Sequence, residues 1–166
     1  MTEPTREYYN NGKIRREKYY NVNNELHRED GPATIEYYKN GNVKFEEYYI
    51  NGAHHREDGP ATIEYYRDGK VEYEIYCING DFHREDGSAY IYYNKNGLVL
   101  GKSYYINDIR LSNEHSQYKI DLSKQMIKDE NDINRLMIMK IVCKEKNDLE
   151  LLELVDNKII TLKLGR

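Results

Sequence analysis

The run His-Arg-Glu-Asp occurs three times, at residues 27–30, 55–58 and 83–86, so that His27, His55 and His83 are each 28 residues apart. No other run in the chain has residue types so suited to chemistry. An imidazole beside two carboxylates is the raw material of a metal site or of acid–base catalysis. The spacing speaks against both. Equivalent residues two strands apart lie about 10 Å from one another, whereas zinc ligands converge to about 2.0–2.3 Å from one ion. The three histidines therefore cannot share a metal. Within one copy the adjacent Glu and Asp point in different directions, and an active site is normally built once. The chain is thus expected not to be an enzyme, with no catalytic residue, metal ligand or cofactor assigned. Two roles remain. One is a loop that fastens itself, with Asp capping local N–H groups, Gly supplying a positive φ, and Arg28, Arg56 and Arg84 bridging to Glu or Asp of the neighbouring loop as a ladder. The other is a row of identical groups facing a partner: His27, Arg28, Glu29, His55, Arg56, Glu57, His83, Arg84 and Glu85.

The elements that must carry these loops follow from the repeat around them. HREDGPATIEYY stands at residues 27–38 and again, letter for letter, at 55–66, and an eroded copy begins at His83. Self-similarity at a fixed period is the signature of a stacked array of one supersecondary unit. Each period holds ATIEYY-type and NVKFEEYYI-type runs, rich in the β-branched and aromatic residues that suit a pleated, half-buried surface. Asn-Gly or Asp-Gly marks the turns between them. Three full reversals per period would flip strand direction in alternate copies, so two strands per period are expected, joined by a tight turn at 39–41 and a longer loop at about 51–59. Alternation places Ala33, Ile35 and Tyr37 on one face and Thr34, Glu36 and Tyr38 on the other. On the return strand, Val43 and Phe45 oppose Lys44 and Glu46. One apolar, aromatic face and one polar face with tyrosines are the result. Tyr37, Tyr65 and Tyr93, and likewise Tyr48, Tyr76 and Tyr104, are expected to stack as aromatic ladders along the sheet. Tyr38, Tyr66, Tyr48 and Tyr76 join the HRED residues as candidate partner contacts, because interfaces enrich Tyr and Arg.

A Tyr-rich strand, Asn-Gly or Asp-Gly, then a second Tyr-rich strand resembles MORN and MORN-like repeats, most closely the HREDGPA variant of YwqK-type antitoxin-like proteins, repeats also seen in large DNA viruses. The resemblance covers about residues 6–111. It departs from the MORN pattern in its longer period, its lower glycine content and its HRED loop. It implies an antiparallel sheet array used for binding and assembly, and carries over no catalytic residue.

The array is expected to fill residues 1–111 and a different, capping or partner-binding segment residues 112–166, because the position 28 beyond His83 is Leu111 and LSNE replaces HRED. Ser112 reads as a helix N-cap, with a short helix at about 113–128. Ile133, Leu136, Met137 and Ile141 predict a second helix at about 132–145, although 135–143 reads equally as a strand. LELLELV and KIITLKL, parted by Asp156-Asn157, read as a hairpin at 149–164. The fold class is therefore mainly β: an elongated antiparallel meander of 28-residue repeats with a small α(+β) tail.

Composition narrows the function. The net charge is −4 over 166 residues, and no block of Lys or Arg appears. That disfavours nucleic acid, whose binders are dominated by phosphate electrostatics, and a polybasic membrane anchor. No apolar run reaches the about 20 residues of a spanning helix, and the N-terminus shows no apolar leader. Cys77 and Cys143 are the only cysteines and read as buried reduced thiols. A cytoplasmic protein is expected, in the host cytoplasm if the source is viral. It would be a non-catalytic interaction or scaffolding module binding another protein, or itself, through sheet and loops. The alternative is a neutralising partner, antitoxin-like or a viral counter-defence protein, that binds one protein tightly. An enzyme using His115, Asp121 or Asp132 of the tail lacks any phosphate loop, nucleophile elbow or paired-carboxylate spacing.

Overall fold

A computed structural model describes residues 3–113, 127–128 and 130–165. Among the described residues the protein is mainly β, with two long helices at its C-terminal end. Strands β1 (Thr5–Tyr8), β2 (Ile14–Lys18), β3 (Thr34–Tyr37) and β4 (Val43–Glu47) are followed by a short hairpin of β5 (Tyr49–Ile50) and β6 (Ala53–His54). The next period supplies β7 (Thr62–Tyr65), β8 (Val71–Ile75) and the hairpin of β9 (Cys77–Ile78) and β10 (Asp81–Phe82). Then come β11 (Tyr90–Tyr93), β12 (Val99–Ile106) and β13 (Ile109–Asn113). Nine strands form one antiparallel sheet in the order β1-β2-β3-β4-β7-β8-β11-β12-β13, and the short hairpins form sheets of their own.

Each period thus contributes two strands to the main sheet, as the parity argument requires, but the expected long loop is itself structured. Asn51-Gly52 and Asn79-Gly80 take positive φ at both positions (48° and 80°; 53° and 94°). That is the type I′ geometry whose twist matches the flanking strands. The short hairpins are linked across periods, with the Gly52 N–H donating to Leu26 C=O (2.9 Å) and the Gly80 N–H to His54 C=O (2.8 Å).

The expected apolar and polar faces do not separate. A bulge recurs in every main hairpin: Glu36 pairs with Phe45 while Tyr37 pairs with Val43, and Glu64 pairs with Tyr73 while Tyr65 pairs with Val71. Lys44 and Glu72 are the extra residues. The extra residue shifts the alternation by one, so Val43 lies with Tyr37 but Phe45 lies across from Glu36, on the opposite face. Glu46 then falls between Ile35 and Ile63, and Glu74 between Ile63 and Ile91. One face is therefore a row of isoleucines alternating with glutamates. Their carboxylates are held by tyrosine hydroxyls, Tyr65 donating to Glu46 and Tyr93 to Glu74, each at 2.8 Å. On the other face Glu36 is buried between Arg16 and Lys44, both of which donate to it. Tyr37, Tyr65 and Tyr93 form no aromatic ladder, because residues two strands apart are about 10 Å distant and ring pairs need 4.5–7 Å.

The tail differs from the sequence expectation in two places. Ser112 is not a helix N-cap; it lies in β13 opposite Tyr104, and most of the helix expected at 113–128 falls outside the described residues. The helix expected at about 132–145 is α1 (Ile133–Lys146), but the region read as a hairpin at 149–164 is one helix, α2 (Leu149–Leu164). Asp148 caps it by accepting the Leu151 N–H (3.2 Å). Leu136, Met137, Met139, Cys143, Val155 and Ile159 form one buried cluster with Ile106 of β12, so the helices pack on the last strands of the sheet.

Candidate functional site

The three HRED loops have the same internal geometry. Arg28 lies over the Tyr19 ring at 4.1 Å, Arg56 over Tyr48 at 4.1 Å, and Arg84 over Tyr76 at 3.9 Å. Each arginine Nε donates to the aspartate two residues on: Arg28 to Asp30 (2.8 Å), Arg56 to Asp58 (2.8 Å) and Arg84 to Asp86 (2.7 Å). Each Nη1 reaches a carbonyl four residues on, that of Pro32, Pro60 or Ser88. The guanidinium beside it holds each aspartate carboxyl below the usual carboxylate range. The arginines thus close their own loops; they do not bridge to neighbouring ones.

The glycine after each HRED was expected to take a positive φ, and it does not. Its function is space: a Cβ on Gly59 would sit 3.0 Å from Arg56 Cζ, and on Gly31 3.1 Å from Arg28 Cζ. Each guanidinium is held between a tyrosine ring and a glycine. Beneath the loops Ala33, Ala61 and Ala89 are completely buried.

The histidines link successive periods. The Asn51 N–H donates to His27 Nδ1 and the Asn79 N–H to His55 Nδ1, both at 3.1 Å. An accepting Nδ1 places the proton of the neutral ring on Nε2, which faces Glu29 or Glu57 at 3.7 Å. His83 keeps the same bond at greater length, the Asn107 N–H donating to its Nδ1 at 3.4 Å, and Asn107 Oδ1 also lies 2.8 Å from that nitrogen. The asparagines were legible only as turn residues; their equal distance of 24 from each histidine was the available signal.

Of the residues expected to meet a partner, the structure turns most inward. Tyr48 and Tyr76 lie under guanidinium groups, and the Tyr38 and Tyr66 hydroxyls donate to Tyr65 and Tyr93 carbonyls. Glu29, Glu57 and Glu85 remain outward, their side chains 83%, 85% and 55% exposed. Between the second and third loops runs a groove of about 420 Å³ lined by Arg56, Glu57, Tyr76, Ile78, His83 and Arg84. A second, of about 500 Å³, lies at the first loop against Tyr19, Tyr20, Val22 and His27. Among the described residues no group of three or more His, Cys, Asp or Glu could hold a metal ion, and no helix is long and apolar enough to cross a membrane. No protein-family model, curated protein or solved structure matches the chain.

Proposed function

We propose that this protein is a non-catalytic interaction module of MORN-like repeats, an elongated scaffold that engages a partner protein along its HRED edge. The observation that carries the reading is the division of labour within each loop. Arg and Asp close the loop, and the outward group repeated at equal intervals is Glu29, Glu57 or Glu85. A structural role alone does not require that third residue, since its exposed carboxylate contributes little to stability.

The test is recovery of partners from extract of the native source by the full chain and by an E29K/E57K/E85K variant shown to be folded. Arginine substitutions are unsuitable, because they would open the loops. We expect the variant to lose partners that the parent retains. A single protein recovered in equal amount would identify the neutralising-partner form of the reading, which the HREDGPA resemblance favours. Identical recovery by both chains would remove the HRED edge as the contact.

A further inference from the structure

We propose that the occupant of the HRED edge is a second copy of this chain, presenting its opposite edge. Strands β3, β7 and β11 each run from an HRED loop at one end to a hairpin tip at the other. The tips bear Lys13; Lys39; Arg67 and Lys70 against Asp68; and Lys95, all exposed, so each carries one net positive charge. Each HRED loop carries one net negative charge, because its arginine cancels one of two carboxylates and leaves the exposed glutamate. The same strand spacing sets the interval along both edges, so tips of one copy meet loops of another at a matched interval of about 10 Å. Lys13 Nζ donates to the Asn40 carbonyl and Lys70 Nζ to that of Lys95. These bonds hold both ammonium groups along the tip row with donors to spare.

Two other modes of assembly are disfavoured. Antiparallel pairing of two β1 strands about a two-fold axis brings same-face residues opposite each other, Arg6 on Arg6 or Glu7 on Glu7, and like charges directly across are destabilising. A polyanion on the tips would meet a chain of net charge −4. Edge-to-edge contact is heterologous, so it adds copies in a row that stays open unless the rotation per copy closes a ring. It rests on the reading of the HRED edge as a binding row.

The experiment is sedimentation of the purified full chain at about 0.01 M and about 1 M salt, between which the screening length falls from about 30 to about 3 Å. We expect the average mass to rise at least twofold with protein concentration at low salt and to stay at one chain at high salt. A loop-reversed variant, E29K/E57K/E85K, and a tip-reversed variant, K13E/K39E/K70E/K95E, should each remain single at low salt. An equimolar mixture of the two should associate, because tips of the first then face loops of the second. That mixture also shows that neither variant has merely unfolded. A parent that stays single at low salt, or a loop-reversed variant that associates like the parent, overturns the proposal. Because only one purified chain is present, either failure leaves recovery of a different partner from extract as a separate result.

Discussion

At the scale of single residues, HREDG is a fastener in which each letter has a separate task. Arginine stacks on a tyrosine and ties Asp to a proline or serine carbonyl; the glycine leaves room for the guanidinium. Gly59→Ala should therefore push Arg56 off the Tyr48 ring and cost about 1–2 kcal/mol, the range of a desolvated cation–π contact with its hydrogen bonds. Glu57→Gln, one position from the clasp, should change stability by less than about 0.5 kcal/mol. Denaturant unfolding of the two variants decides: equal midpoints would show that the glycine holds nothing. The sequence made the loop legible as self-fastening, because Asp-Gly-Pro is turn chemistry. It did not reveal the direction of the arginine, since a repeat offers each guanidinium a carboxylate in its own loop and in the next, and only the tyrosine beneath chooses between them.

At the scale of elements, the main-sheet strands, the tight turn at 39–41 and the count of two main-sheet strands per period were readable from alternation and Asn-Gly pairs, whereas the short hairpin within the expected loop and the bulge were not. Nothing in ATIEYY or NVKFEEYYI marks the extra residue, yet it redistributes the faces and places glutamates between isoleucines. The α2 helix was misread for a related reason. KIITLKL alternates like a strand, but Leu151, Leu152, Val155, Ile159 and Leu162 recur at helical spacing and lie in the cluster with Ile106, and the continuous stripe prevails over the local alternation. The glutamate rows also make a pH prediction. Burial first, and then the hydrogen bond to Glu17, pushes the Tyr37 hydroxyl up to about 12; burial and Glu74 do the same to Tyr93. A raised value means that the stabilisation is complete below the ordinary tyrosine value near 10 and is lost as pH rises through about 12. Tyrosinate absorbance should show these groups ionising late and together with loss of the sheet signal in circular dichroism. Ionisation near 10 with the sheet intact would contradict the hydrogen-bonded rows.

At the scale of the whole molecule, each period adds an even number of strands, so strand direction is the same after every copy. Deleting residues 31–58 joins Asp30 to Gly59 and rebuilds HREDGPATIEYY without a scar. Tyr65 then stands where Tyr37 received the Tyr9 hydroxyl. The shortened chain should fold cooperatively, and its denaturant slope should fall by about one-sixth, in proportion to the surface removed. A chain that loses cooperative unfolding would show that the copies are not interchangeable. The boundary near residue 111 is less sharp in the structure than in the sequence: β13 continues the sheet beyond the last HRED loop, and Ile106 belongs to the helical cluster.

The identity of two copies has a consequence during folding. Two segments with identical letters compete for the same places beside β2 and β8, and a chain still searching for its partners meets two equally good answers one unit out of step. A misregistered chain would bury the right residues in the wrong order, and the local contacts would not report the mistake. The worn third copy, with Ser88 and Tyr90 where the others have Pro and Thr, is the one that neither of them matches, so it marks one end of the row. Its imperfection works as an address.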